Sequence, residues 1–406
     1  MKNAVLPYDI RLTIIKEKHQ QLEMIMKDKN IDCWIIFVRE TSAFRDPVMD
    51  LVVGGDVVWE STFIFYFDKE MNFKKHAIIG NFDADAQREK KIWTDITDYV
   101  EGITTSLQEL FKTIEPKNIA LNYSLDNVMS DGLSHGMFLK LQTILKDKKQ
   151  LFISADLIIQ SLRGRKSKTE IELIRKSTQL AESINTSITP KIQVGMSERQ
   201  IQQMYHDKMD ELEILESWER GHCPAVDAGP DKRFGHVGPS DLILQRGHTM
   251  HNDFGVKLQG YCSDLQRMWF FGKPEELPEE LRHAFDTVKL GIRKASEFIK
   301  PGIIANDVDT LVRDWVKSRG YEEFKHALGH QVGMQAHDGG VLLGPKWEKY
   351  GDSVLGILEE GNIFTLEFYV ETKNYGMISL EEMILVTKDG CEFIVLPVED
   401  FIYIEE

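Results

Sequence analysis

The run His251 to Trp269, HNDFGVKLQGYCSDLQRMW, sets two aspartates among apolar and aromatic neighbours. Gly255 and Gly260 punctuate it, and the pattern reads as a hairpin with Asp253 on one strand and Asp264 on the other. Two carboxylates then meet across the ladder. An arbitrary pair of aspartates is usually solvated, but Phe254, Tyr261, Trp269 and Phe270 argue for burial here, and a buried carboxylate must be paired or must hold metal. The tripeptide Asp253-Phe254-Gly255 also occurs in the magnesium motif of kinases. No glycine-rich phosphate loop, VAIK-like strand or HRD loop accompanies it, so a kinase is excluded.

Downstream, HALGHQVGMQAHDG (326–339) places His326, His330 and His337 at spacings of four and seven. His326 and His330 have the spacing of a zincin HExxH pair, but Ala327 stands where that motif needs its general-base glutamate. It is not a zincin. Two strongly β-forming runs follow, IFTLEFYV (363–370) and MISLEEMILVT (377–387). Glu367 lies among Phe364, Leu366, Phe368 and Tyr369, a setting that disfavours a solvated edge charge. In the second run, alternation puts Glu381 and Glu382 on opposite faces, so at most one of them points into a shared site. Parity alone does not choose between them.

The chain of 406 residues exceeds the size of one hydrophobic core, and its 42% apolar content can bury two. With 49 Lys and Arg against 65 Asp and Glu, the formal charge of −16 argues against nucleic-acid and anionic-membrane partners. Bound metal would neutralise part of that excess. Cys33, Cys223, Cys262 and Cys391 are scattered without CxxC spacing, as expected of free thiols in a reducing compartment, which predicts a cytoplasmic protein. No stretch approaches the roughly 18 apolar residues of a membrane span.

The first 160 residues alternate helical patterns (Arg11 to Lys29, and weakly Asp126 to Leu145) with β-rich runs at Cys33 to Val38, Thr62 to Phe67, Ala77 to Ile79 and Ile119 to Leu121. That alternation predicts an α/β domain over 1–160. A second domain, 161–406, starts near the capping box Ser167 with Glu170, and a second box, Ser197 with Gln200, opens another helix. A further pair is expected at Leu281 to Ile299 and from Asn306, as its cap, to Gly320. Each helix pair precedes β-rich sequence, which suggests a duplicated helix-helix-sheet unit with its halves facing one site.

Taken in order, DFG (253–255), SDLQR (263–267), GHQVG with His337 (329–337), TLEF (365–368) and LEEMILVT (380–387) resemble the pita-bread metallopeptidase superfamily, which contains methionine aminopeptidase, prolidase, aminopeptidase P and creatinase. The resemblance spans about Arg163 to Thr387. It implies an α+β architecture: a C-terminal pita-bread catalytic domain behind an N-terminal α/β creatinase-like domain. It also implies two divalent metal ions, manganese first with cobalt or zinc as alternatives, one held by Asp253, both bridged by Asp264 and Glu381, the second completed by His330 and Glu367. The family register selects Glu381 over Glu382. By the same resemblance, His236 in GHVGPSD (235–241) and His337 hydrogen-bond the scissile carbonyl, and Glu367 passes a proton to the leaving nitrogen. His326 resembles a position typical of the prolidase, aminopeptidase P and creatinase branch. The function implied is metal-assisted removal of N-terminal residues from peptides, Xaa-Pro in particular, by a homodimer acting on a peptide or small amide.

Three positions depart from the pattern. Ser379 stands where proline-specific relatives carry an arginine, Gln266 replaces the threonine of SDxTR, and Asp338 follows the second histidine where the family has glutamate. By the resemblance these changes lie at the pocket wall, where they would admit a different amide. They motivate a rival reading, a non-peptide amidohydrolase or lyase on the same scaffold. A metal-free binding module predicts lost ligands and charged tails, and neither is seen.

Overall fold

The run Cys33–Val38 shows no alternation because both its faces are covered: all six residues are buried. Cys33, Ile35 and Phe37 pack against Leu107 and Phe111 of helix Thr104–Thr113 and Met137 and Leu141 of helix His135–Ile144. On the opposite face Trp34 stacks on Phe65, which also receives the edge of His19 from helix Tyr8–Asp28. The structure, a computed structural model, describes residues 2–230 and 238–405. The chain divides into two units, Tyr8–Arg163 and Met1–Pro7 with Gly164–Glu406. The first residues join the second unit through backbone bonds from Asn3 N to Glu213 O and from Gln259 N to Asn3 O.

The first unit is built on a six-stranded mixed sheet in the order Asp95–Tyr99, Phe73–Gly80, Ser61–Phe67, Cys33–Val38, Ile119–Leu121, Phe152–Ser154. The three inner antiparallel strands are flanked by parallel ones. The outer strands Asp95–Tyr99 and Phe152–Ser154 were not anticipated: they lie at the edges and are largely half-exposed, so their sequences carry little apolar signal. The weak helix over Asp126 to Leu145 resolves into a short 3-10 turn, Val128–Ser130, capped by Asn127, and a helix that starts after Ser134.

Within this unit His19 is buried against Phe65 and Trp93, with Nε2 2.8 Å from Val52 O. Burial, aided by the charge of Lys75, lowers its pKa to about 3. The unfolded chain therefore takes up a proton near pH 6.5 that the folded chain refuses until about pH 3, and stability falls through that window as pH decreases. By pH 3 the loss attributable to this group reaches on the order of 4 kcal/mol. His19→Gln is expected to flatten the acid limb of the pH profile in urea unfolding. An unchanged limb would refute the assignment.

The second unit opens as the caps require. Ser167 N donates to Glu170 Oε2 at 2.7 Å while its hydroxyl caps helix Lys168–Ile188, and Ser197 with Gln200 does the same for Glu198–Glu211. The second helix pair, Glu279–Phe298 and Ala305–Ser318, starts without a side-chain cap: Asn306 lies inside its helix and donates to Gly344 O. The main sheet runs Ile363–Glu371, Met377–Val386, Leu265–Phe271, Thr249–Phe254, Ala225–Ala228, with Cys391–Phe393 beside the second strand and Ile402–Ile404 beside the third. Phe364, Leu366, Phe368 and Val370 join Ile378, Leu380 and Ile384 in the core built with the second helix pair. Alternation turns Glu367 and Glu381 to the other face. No described helix is long and apolar enough to cross a membrane.

Candidate metal centre

One row across five strands collects the acidic side chains. Ala225 pairs with Asp253, Asp253 with Gln266, Gln266 with Glu381, and Glu381 with Glu367, and directly opposed residues share a face of a sheet. Glu382 points to the other side, where its Oε2 lies 3.2 Å from Arg267 Nη2 and its Oε1 accepts from Val398 N at 2.8 Å. The ambiguity left by parity is resolved by that buried ion pair.

Asp264 is not on a strand opposite Asp253. It sits in the link between Tyr261–Cys262 and Leu265–Phe271, because the residues after Asp253 leave the main sheet to form a small one with Leu215–Glu216. Gly255 permits that departure: a Cβ there would lie 2.0 Å from Ser263 O. The backbone N–H of Asp264 donates to Met383 Sδ, and its carboxyl is buried.

His330 arrives on an extended segment, not a helix. Thr365 N donates to His330 O at 2.9 Å and Glu367 N to Leu328 O at 2.8 Å, so residues 328–330 line up beside the strand that carries Glu367. Gly329 allows the approach, since a Cβ there would lie 1.9 Å from Thr365 O. His330 Nε2 lies 3.7 Å from Asp264 Oδ2 and 3.5 Å from Glu367 Oε1. Asp264, His330 and Glu381 each offer a ligand atom within 4.8 Å of the others.

The electrostatics are those of a site without enough positive charge. Burial, with nearby carboxylates adding to it, raises Asp253 to about 7 and Asp264 and Glu381 well above the carboxylate range. Burial also raises Glu367 to about 7, and desolvation followed by the charge of His337 lowers His330 to about 3. Asp253 Oδ1 and Glu381 Oε2 are buried without a hydrogen-bond partner among the described residues. Four ionised carboxylates balance two divalent cations, and oxygen donors with one imidazole suit hard to borderline ions. The donor set fits the metal ions it was expected to hold.

The remaining candidates fall into place unevenly. The ring of His337 meets that of His330 edge-on at 4.2 Å and is exposed. His326 is set apart from the carboxylates, its ring against Phe324 and Tyr369 and its Nδ1 2.7 Å from Ala327 O. His236 lies outside the described residues. Asp338 is not on an open wall: it is buried and bonded to Lys166 Nζ at 2.7 Å. The other two departures are one contact, Ser379 Oγ donating to Gln266 Oε1 at 2.5 Å. Two buried residues escaped notice in the sequence, His251 and Asp227, whose Nδ1 and Oδ2 lie 3.2 Å apart. The available signal was period two: His251 precedes Asp253 by two positions and shares its face.

Residues 172–388, more than half the chain, match the model of metallopeptidase family M24. The chain belongs to that family. Among M24-type relatives, the Xaa-Pro dipeptidase of Pyrococcus horikoshii is 29% identical over 274 residues, 66% of this chain and 73% of the relative. The solved Xaa-Pro dipeptidase from Bacillus anthracis aligns with a TM-score of 0.71 at 20% identity, covering 96% of this chain and 99% of that one. X-Pro aminopeptidase from Thermotoga maritima gives 0.67 at 20% identity, covering 95% and 99%. The shared fold thus extends over both units, pita-bread catalytic and N-terminal. As an M24 metallopeptidase the protein is a metal-dependent peptide hydrolase that takes divalent ions.

Proposed function

We propose that this M24 protein removes N-terminal residues from short peptides, with Xaa-Pro dipeptides as the preferred class. Asp253, Asp264, His330, Glu367 and Glu381 hold two divalent cations, manganese first. The observation that carries this reading is the row Glu367–Glu381–Gln266–Asp253, with Asp264 and His330 brought against it from outside the strands. The names of the relatives support peptides over non-peptide amides as substrate.

When bound, the cations would polarise the scissile carbonyl and activate a water for attack. The chain supplies the rest. Glu367, whose Oε1 faces His330 and whose Oε2 is held by Gln266, is placed to carry a proton to the leaving amine. His337, beside His330, supplies a hydrogen bond to the carbonyl oxygen, a role it shares with His236. His326 with Tyr369 forms a substrate-facing wall. The N-terminal unit, Tyr8–Arg163, supports a homodimer, and three buried cysteines, with no disulfide among the described residues, support the cytoplasm as its compartment.

Chelator-stripped protein is expected to be inert and to recover hydrolysis on addition of manganese, more than with cobalt or zinc, in a panel of Xaa-Pro, Met-Xaa and non-peptide amides. Full activity of the stripped protein would sink the metal assignment. Turnover of non-peptide amides alone would move the substrate class.

A further inference from the structure

Gln266 occupies the middle of the acidic row, between Asp253 and Glu381, yet it brings no charge to a cation. Its amide has three polar neighbours, Glu367, Ser379 and His251, of which the Glu367 carboxylate has fixed polarity. A carboxylate only accepts, so Nε2 is the atom that faces Glu367 Oε2, at 3.1 Å. Oε1 is then the acceptor for Ser379 Oγ at 2.5 Å and lies 3.1 Å from His251 Nε2. Asp227 Oδ2 lies 3.2 Å from His251 Nδ1. Gln266, Ser379, His251 and Asp227 are all buried.

The amide therefore has one orientation. Turning it over would set its oxygen against an oxygen of the Glu367 carboxylate and break the closer of the two bonds offered to Ser379 Oγ. Ser379 Oγ also lies 3.1 Å from Phe368 O, but a hydroxyl has one proton and the closer acceptor is Gln266. The result is an N–H donor aimed at one oxygen of Glu367 while the other is left toward His330.

From this geometry we infer that Gln266, oriented by Ser379, is a positioning residue that fixes the Glu367 carboxylate for metal ligation and proton transfer. The inference rests on the reading of Glu367 as a ligand. Groups that orient a metal ligand typically change metal affinity or activity by 10- to 100-fold when removed. Ser379 touches neither Glu367 nor the cation positions through any bond described, and acts only through Gln266.

The test uses the full-length protein, titrated calorimetrically with manganese after stripping, and assayed on an Xaa-Pro dipeptide. Gln266→Met, close in volume, is expected to weaken manganese binding on the order of 10- to 100-fold and to lower kcat with a smaller change in KM. Ser379→Ala should show a milder loss of the same kind, and Ser379→Thr, which keeps the hydroxyl, should restore it. The double variant Gln266→Met with Ser379→Ala should be no worse than Gln266→Met alone. Wild-type affinity and kcat in Gln266→Met, or losses that multiply in the double variant, would overturn the inference and leave the metal reading intact. A wild-type chain that binds no manganese, cobalt or zinc would remove both.

Discussion

Asp264→Ala is expected to abolish metal-dependent peptide hydrolysis, with a fall on the order of 100-fold or more in kcat/KM. Asp264 forms with His330 and Glu381 the trio whose candidate ligand atoms lie within 4.8 Å of one another, so its removal takes donor atoms from the centre of the cluster instead of its rim. The side chain is small, so the cavity left is minor, and losing one of four mutually repelling carboxylates relieves strain in the metal-free state. The metal-free variant should therefore be at least as stable as the metal-free wild type, while the stabilisation that wild type gains from added manganese should vanish. Thermal unfolding with and without manganese, beside a peptidase assay, tests both halves. Retained activity with retained manganese stabilisation would refute the role of Asp264.

Arg267→Met is expected to destabilise the C-terminal unit by about 3 to 5 kcal/mol. Arg267 is fully buried, pairs with Glu182 and Glu382, and donates to the carbonyls of Gln266 and Glu381 at 2.9 and 3.0 Å. Glu182 is partly exposed and can be hydrated once freed, but Glu382 is buried and cannot. The uncompensated charge carries most of the cost. Arg267→Met with Glu382→Gln should recover much of the loss, because the glutamine still accepts from Val398 N without a charge to neutralise. Native-state hydrogen exchange at Leu265–Phe271 reports on this unit directly; a change below about 1 kcal/mol in the single variant would contradict the argument.

Asp253 and Glu367 stand out in the sequence because each has apolar or aromatic neighbours that make solvation implausible, whereas His330 and Glu381 enter the candidate set only through the family resemblance. The helix starts at Ser167 and Ser197 were legible because a capping box is a local device, bonded within four residues. Alternation could not choose between Glu381 and Glu382, since either glutamate could have been the one facing the core; only the distant Arg267 decides it. The hairpin between 251 and 269 forms, with Thr249–Phe254 antiparallel to Leu265–Phe271, but its register sets Gln266 opposite Asp253 and leaves Asp264 just before the strand. Val256–Leu258 pairs with Tyr261–Cys262 and also with the distant Leu215–Glu216, and nothing between 253 and 264 announces the second pairing, which draws this stretch out of the main sheet. The Ser379–Gln266 bond joins residues 113 positions apart, so two apparent departures could be counted separately but not seen as one contact.

Because Glu367, Glu381, Gln266 and Asp253 lie in register, the spacing of their backbones is the interstrand repeat, about 4.8 Å per step. That repeat is set by main-chain hydrogen bonds and does not vary with the ion. If the proposed ligands hold the ions, accommodation of a larger or smaller cation must therefore come from carboxylate rotamers and from the two proposed ligands outside the row, Asp264 in its link and His330 in its extended segment. The sheet works as a fixed ruler, and discrimination between metals of different radius falls to the parts of the site that the ladder does not hold.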